Sequence, residues 1–470
     1  MTISKEKNKL YSDCLSKPAG AIAKELNIYP EEYSLLTDLY QLTMSACYTG
    51  EELAETPASF ELFVRRLPAD FGYLIAMGLE QALEYLEKFR FNSGQIEALQ
   101  ATGIFDNAPA KFWQLLAEVQ FTGDVWAVSE GTAVFANQPL LRIEAPLWQA
   151  QLVETYLLNV INYQTLIATR SARIRDIAGS EAMILEFGTR RAFSPQASLW
   201  AARAALASGL NATSNVLAAL KLNQKPAGTM AHALVMALGA MAGSEAKAFT
   251  AFHKYFPGAP LLIDTYDTIA AAEMLAEKVR KEEIELTGVR LDSGDLVMLS
   301  QKVRSLLPGV PIFASGDLDE WEIAKLKNAG ACIDGYGLGT RLVSGSPVNG
   351  VYKLVEINSI PVMKQATDKI TYPGRKQIFR HLQQGQIQKD ILGLATEKHP
   401  ISDDIIPLMQ LVFHNGKRLH SPEKLPTITQ RTTASVASLP PETKRLDNPI
   451  SPIVEISPAL IELTNKTRRK

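Results

Sequence analysis

The chain has 470 residues, 46% hydrophobic and 21% charged, a balance that supports large buried cores and predicts about two or three globular domains. Its 48 basic and 50 acidic side chains leave a formal net charge of -2, which excludes a global attraction to nucleic acid or to an anionic membrane, so any anion binding is local. Three scattered cysteines, Cys14, Cys47 and Cys332, lack Cys-x-x-Cys spacing; this argues against a disulfide framework or structural zinc and for a reducing, cytoplasmic setting.

The first residues, MTISKEKNKLYSDCLSKPAG, mix charge and polarity without an apolar core and read as neither a secretory signal nor an anchor. No run elsewhere approaches the ~20 apolar residues a membrane helix requires. Residues 1–33 read as a loosely ordered extension and residues 34–146 as an α+β module. In that module Leu35 to Tyr48 has helical periodicity, with Asp38, Tyr40 and Gln41 on or near the exposed side. Ser59 to Val64 alternates as a half-buried strand does, Leu74 to Phe89 is helical, and Val125–Val128 and Leu140–Ile143 are strands around a turn at Gly131.

Residues 147–345 change character, to a long helix from Leu147 through Ile161 and then to repeated strand-loop-helix units. Strand candidates are Ala182–Leu185, Leu261–Ile263, Val289–Leu291, Pro311–Ala314 and Ala331–Ile333, each ending in a polar or glycine-rich loop. Such alternation implies a parallel sheet, doubly wound or closed into a barrel, with functional groups at the carboxyl ends of the strands. The recurrence of Ser293-Gly294-Asp295-Leu296 as Ser315-Gly316-Asp317-Leu318 favours an irregular TIM-like α/β barrel. Residues 346–395 turn back to β structure, through Val351–Val355 and Pro361–Lys364, and are expected to return to the first module; residues 396–470, with Leu439-Pro440-Pro441 and Pro449 to Pro452, read as an extended, partly mobile wrap.

Chemistry concentrates at the predicted strand ends. Pro226 and Gly228 interrupt the chain, Thr229 is a candidate N-cap, and Met230 to Ala240 follows as an apolar helix, which places His232 at the third helical position. A helix N-terminus stabilises anions and favours a neutral, nucleophilic imidazole, so His232 can accept a phosphoryl group; a pocket-lining or core histidine is the plain alternative. In Glu186-Phe187-Gly188-Thr189-Arg190-Arg191 the arginines can clamp phosphate and Phe187 can stack on a flat ring, unless the pair is simply solvated. Arg290 and Asp292 alternate around Leu291, so they face one side and can meet one ligand or pair with each other. The glycines of Gly335-Tyr336-Gly337-Leu338-Gly339-Thr340 allow a backbone to approach a phosphate closely, and Asp264-Thr265-Tyr266-Asp267 either orients a ribose or magnesium or caps the next helix.

Taken together, Leu36-Thr37-Asp38-Leu39-Tyr40-Gln41, Phe187-Gly188-Thr189-Arg190-Arg191, Gly228-Thr229 with His232, Arg290-Leu291-Asp292-Ser293-Gly294-Asp295 and Gly337-Leu338-Gly339-Thr340 resemble, in order, the motifs of the nicotinate phosphoribosyltransferases. The resemblance spans roughly residues 34–460 and implies a type II phosphoribosyltransferase: an irregular α/β barrel joined to an α+β domain, acting as a homodimer with sites near the interface. It implies synthesis of nicotinate mononucleotide and diphosphate from nicotinate and phosphoribosyl diphosphate in NAD salvage, with Mg2+ and with ATP hydrolysed in a ligase-type reaction. His232 matches the autophosphorylated histidine, and Tyr40, Thr229 and Arg290 match nicotinate-contacting positions. Phe187 and Arg190 match ring-stacking and phosphate-facing positions; Gly339 and Thr340 lie in the segment that holds the sugar diphosphate, and Asp292 joins the substrate-binding set.

Nicotinamide phosphoribosyltransferase is the nearest alternative, and there an aspartate follows the Gly-Thr pair where Met230 stands here, which favours the acid substrate. Quinolinate as substrate would demand more basic residues. A barrel lyase would need a Schiff-base lysine at a strand end, which none of the strand candidates contains, and a non-catalytic metabolite-binding protein would keep only the pocket.

Overall fold

The computed structural model describes residues 26–365 and 371–469. The opening polar stretch, read as neither signal nor anchor, lies outside these residues up to position 25. From Pro30 the chain is already docked: a 3-10 helix covers Pro30–Leu35, Ser34 Oγ accepts the Arg90 N–H at 3.0 Å, and Tyr33 packs against Tyr156 with ring centroids 5.1 Å apart. The end of the expected extension is thus tied down by aromatic and polar contacts.

The first layer is a seven-stranded sheet built from distant parts of the chain. Its order is Ile360–Pro361, Gly350–Ile357, Pro57–Val64, Pro139–Pro146, Asp124–Val128, Met409–His414 and Lys417–Arg418, with antiparallel neighbours. Pro57–Val64 is central and buried at every position after Pro57, so its polar residues face core instead of solvent as the alternation had predicted. One of them, Glu61, is fully buried beneath Lys376 at 2.9 Å, while Arg142 donates to the Lys376 carbonyl at 2.6 Å. This charged knot holds the returning strand Lys376–Gln383, which heads a second sheet with Gln386–Leu394, Ile405–Pro407 and Ile453–Ile456. Removing one partner would strand a buried charge, at a cost of about 3–5 kcal/mol.

Two sequence readings near this layer change. Leu74–Phe89 divides into a short strand, Leu74–Ile75, and a helix, Leu79–Glu87, separated at Gly78, whose φ of 100° suits glycine. The carboxyl-terminal wrap is ordered, with helices at Leu425–Ala437 and Pro458–Arg468, because Ile428, Leu439 and Leu460 are buried in the main cores. The Glu154–Ala178 helix connects the layers: Leu157, Val160 and Ile161 enter the first core, and Ile167, Ala168, Ala172 and Ile174 the second.

The parallel sheet has strands β1 (Met183–Glu186), β2 (Ala212–Thr213), β3 (Leu261–Leu262), β4 (Val289–Leu291), β5 (Ile312–Ala314) and β6 (Gly335–Leu338), in the spatial order β2-β1-β6-β5-β4-β3. All its neighbours are parallel, and helices follow the strands at Pro195–Ala207, Thr268–Arg280, Leu296–Leu306 and Glu320–Asn328. Among the described residues no hydrogen-bonded ladder joins the edges β2 and β3, so the architecture is a mixed α/β fold without a closed ring. The segment between these edges carries helices Val216–Lys221, His232–Ala242 and Glu245–Tyr255, and Ala227 N–H extends the β2 edge by donating to the Thr213 carbonyl at 2.9 Å.

The last strand is displaced from its expected place at Ala331–Ile333 to Gly335–Leu338. Its glycines therefore belong to the strand and not to a following loop, because large neighbouring rings leave no room for a Cβ there. The β2 strand is too short to show a period in sequence. No described helix is long and apolar enough to cross a membrane.

Candidate active site

A cavity of about 590 Å³ opens within the curved parallel sheet, with Phe187, Thr229, Arg290, Phe313 and Gly337 among its walls. Strand alternation sends Leu185 and Phe187 to the cavity and the intervening Glu186 away from it. A Cβ on Gly337 would stand 2.5 Å from Phe187 Cε2, and one on Gly335 2.6 Å from Phe313 Cε1. The glycine pattern thus makes room for two aromatic rings. Phe313, which the sequence reading did not single out, is paired in register with Arg290 across β5 and β4; its signal was only its alternate position in Pro311–Ala314.

Arg290 is the polar centre of this cavity. Its Nη1 donates to Thr229 Oγ1 at 2.8 Å and its Nη2 to the Met230 carbonyl at 3.1 Å, while Nε is buried with no partner among the described residues. Burial pulls the guanidinium below its ordinary pKa; Asp292 and Asp264 oppose this, and the charge of Arg190 adds to it. A guanidinium still remains cationic, so the cavity carries a positive charge that no direct ion pair with Asp292 neutralises.

The Gly-Thr-Met-Ala-His segment departs from its predicted geometry. The helix begins at His232 with Ala231 as N-cap, so His232 is the first helical residue and not the third. Thr229 caps nothing; its hydroxyl is tied to Arg290 and donates to the Met230 carbonyl at 3.2 Å. Met230 is 6% exposed and its side chain packs in a core with Val235, Phe249 and Leu261. Its carbonyl, not its side chain, meets Arg290, so the argument that this side chain selects acid over amide loses its geometric basis. His232 Nδ1 lies 3.1 Å from Thr265 Oγ1, and Nε2 has no partner among the described residues. Thr265 was noticed only as part of an acidic loop.

The carboxylates divide their work. Asp267 caps the Thr268–Arg280 helix through Ile269 N–H and Ala270 N–H, each at 3.0 Å, and Asp295 caps Leu296–Leu306 in the same way at 3.1 Å. Asp264 Oδ2 accepts the Asp292 N–H at 2.7 Å and the Ser293 hydroxyl at 2.9 Å, while its Oδ1 is buried without a partner among the described residues. Asp292 Oδ1 accepts the Ser315 hydroxyl. The repeated Ser-Gly-Asp-Leu loops share a left-handed glycine, Gly294 at φ 83° and Gly316 at φ 116°, but the helix after the second is capped by Asp319.

Gly339 precedes a four-residue turn of helix, Thr340–Val343, directly after β6. Arg190 and Arg191 are exposed with no carboxylate partner among the described residues. Tyr40 stands apart: it lies in the first turn of the Leu39–Gly50 helix, half exposed, in a separate cleft of about 410 Å³ with Glu154, Phe193 and Ser344. Burial, and then Glu154, raise its phenol pKa above the ordinary value. Gln41, expected near the exposed side, is fully buried: it donates to Glu154 at 2.8 Å and accepts from Gln151, so this face of the helix packs against the chain around residues 151–154.

Three family models match the chain: the nicotinate phosphoribosyltransferase N-terminal domain over residues 35–162, the nicotinate phosphoribosyltransferase family over 182–310, and its C-terminal domain over 401–464. The chain is 39% identical over 475 residues to nicotinate phosphoribosyltransferase of Bacillus subtilis, covering 92% of this chain and 94% of the relative. It is likewise 39% identical over 427 residues to nicotinate phosphoribosyltransferase pncB2 of Mycobacterium tuberculosis, with 88% and 89% covered. The crystal structure of human nicotinic acid phosphoribosyltransferase superposes with a TM-score of 0.80 at 30% identity, covering 92% of this chain and 99% of the other. Matched across all three segments and along nearly the whole length of its relatives, the chain belongs to the nicotinate phosphoribosyltransferase family.

Proposed function

We propose that the protein joins nicotinate to phosphoribosyl diphosphate, giving nicotinate mononucleotide and diphosphate for NAD salvage. The observation that carries this reading is Arg290: a half-buried cation, held by Thr229 and without a direct carboxylate partner among the described residues, in a cavity walled by the Phe187 and Phe313 rings. A flat aromatic acid suits that combination, with its carboxylate on Arg290 and Thr229 and its ring against Phe187. In the reaction the pyridine nitrogen forms a bond to the anomeric carbon as the bond from that carbon to diphosphate breaks. Holding the nitrogen in line and stabilising the departing charge are what the site must supply. Arg190 and the backbone N–H groups of the Gly339–Thr340 turn serve the phosphates, and Asp292, fixed by Ser315, faces the sugar.

In this reading the family's ATP coupling passes through His232. The Thr265 contact engages Nδ1 and leaves Nε2 as the nitrogen that takes the phosphoryl group from ATP, with ADP leaving; hydrolysis of the phosphohistidine then resets the switch. Mg2+ fits with one carboxylate of the site. Asp264 retains a buried oxygen without a partner among the described residues, and Mg2+ commonly combines one or two carboxylates with substrate phosphates. The described residues hold no preformed group of three or more His, Cys, Asp or Glu for a metal.

We further read the parallel sheet as an irregular barrel, since one cavity is walled by both β1 and the residues ahead of β3, and the protein as a cytoplasmic homodimer. Tyr40 then reaches nicotinate from the second copy, consistent with its place in a cleft apart from Arg290. The deciding experiment supplies nicotinate, phosphoribosyl diphosphate, Mg2+ and ATP and follows nicotinate mononucleotide by chromatography. Nicotinamide in place of nicotinate should give little product. Absence of product in every combination would refute the enzyme reading.

A further inference from the structure

Glu186 is a buried acid with no place in the chemistry so far. It ends β1, points to the side of the sheet opposite the cavity, and is 1% exposed. No cation pairs with it among the described residues. A carboxylate in such a position costs several kcal/mol in desolvation unless its oxygens are satisfied, and here both are. Oε1 accepts the Gly188 N–H and Oε2 the Thr213 hydroxyl, while Thr213 Oγ1 in turn accepts the Asn215 N–H at 2.9 Å.

These bonds tie together the loops leaving two neighbouring strands. Gly188 is the pivot of the first: its carbonyl accepts the Arg191 N–H at 2.8 Å and the Ala192 N–H at 3.0 Å, forming the turn that carries Arg190. A Cβ on Gly188 would come 2.8 Å from Glu186 Oε1 and 2.2 Å from Val343 Cγ1, so the peptide is wedged between the carboxylate and the helix turn after β6. In the chain Phe187 immediately precedes this peptide, and the two arginines follow Thr189 directly after it.

We propose that Glu186 is a positioning residue, whose carboxylate sets where Phe187 and Arg190 stand by holding the Gly188 peptide and Thr213. This rests on the reading of Phe187 and Arg190 as substrate contacts. It assigns to a buried acid an effect on both substrates at once, because one peptide orients the ring contact and the phosphate contact together.

The test compares Glu186→Ala and Glu186→Gln in the full-length enzyme, measuring kcat, KM for each substrate and Tm. Glu186→Ala should raise both KM values about tenfold or more, since misplacement near 1 Å can cost about 10²-fold. Glu186→Gln should recover most of that, because its amide carbonyl still accepts the Gly188 N–H. On a Phe187→Ala background, Glu186→Ala should add little to the nicotinate KM. Thr213→Val, which keeps the volume and removes the hydroxyl donor, should shift both KM values in the same direction and carries the test if the alanine variant fails to fold. Normal KM values in Glu186→Ala, or in both Glu186→Gln and Thr213→Val if the alanine variant is unfolded, with Phe187→Ala and Arg190→Ala impaired, would overturn the positioning role alone. Equal effects of Glu186→Ala on the two backgrounds would also overturn it. Normal kinetics in Phe187→Ala and Arg190→Ala would overturn the reading of the site itself.

Discussion

Gly337→Ala adds one methyl group where a strand passes beneath the Phe187 ring. Gly337 has no left-handed φ, so alanine can keep the strand conformation, and the effect is confined to the side chain. The new Cβ would stand 2.5 Å from Phe187 Cε2, 2.6 Å from Cδ2 and 3.2 Å from Ser315 Cβ. Carbon atoms rest at about 3.5–4.0 Å, so the ring has to retreat by about 1 Å or more. The space open to it is the 590 Å³ cavity, which keeps the stability loss near the low end of the 1–3 kcal/mol usual for overpacking. The cost falls on nicotinate: a ring displaced by that much raises its KM by ~10- to 100-fold, with a smaller change for phosphoribosyl diphosphate. Steady-state kinetics with each substrate varied in turn, alongside thermal melting, measures both quantities. Adding Gly337→Ala to Phe187→Ala should have little further effect, because the clashing ring is gone. A nicotinate KM unchanged by Gly337→Ala would refute the claim that this ring walls the nicotinate site.

His232→Ala should abolish ATP hydrolysis and ATP stimulation while leaving slow nucleotide synthesis, measured by following ADP and nicotinate mononucleotide in one reaction; unimpaired coupling would exclude the phosphohistidine. Met230→Asp should lower Tm, by burying a carboxylate in the core of Val235 and Phe249, while Met230→Leu should cost under ~1.5 kcal/mol and leave the ratio of nicotinate to nicotinamide use unchanged. A substrate ratio that moves with Met230→Leu would return this side chain to the specificity site. Burial raises the Glu186 carboxyl above its ordinary pKa, against the opposing hydrogen bonds of Thr213 and Gly188. The unfolded chain therefore loses this proton at lower pH than the folded one, and stability falls as pH rises from the ordinary carboxyl range through the raised value. Denaturant titrations over that window should show wild type losing stability relative to Glu186→Gln, and parallel curves would contradict the raised value.

Much of the chemistry was legible because local sequence dictates it. Short strand candidates such as Val289–Leu291 and Leu261–Ile263 marked parallel strands, the loops after them marked the rim, and the Asp264–Asp267 loop offered the cap that Asp267 makes. The alternation of Arg290 and Asp292 suggested one shared face; in the fold Arg290 lines the cavity, while Asp292 is bonded to Asp264 and Ser315. Less legible was the last strand: Gly335 and Gly337 look like loop residues until the Phe313 and Phe187 rings that exclude a Cβ are known. Those rings lie on other strands, and no local pattern predicts them.

By itself, then, the amino-acid order determined what depends on near neighbours and on period: most of the strands and helices, and which side chains at strand ends are candidates for binding phosphate or an acid. Only the tertiary structure decided which of those side chains share a cavity. It joined Thr229 to Arg290, set His232 against Thr265, turned Met230 inward and left Tyr40 in another cleft. These outcomes depend on contacts between residues far apart in the chain, whose partners are chosen by burial and by the pairing of strands. A buried acid such as Glu186 shows the difference most plainly. In sequence it is one carboxylate among 50 acidic residues; in the fold its two oxygens are the place where two loops are held together.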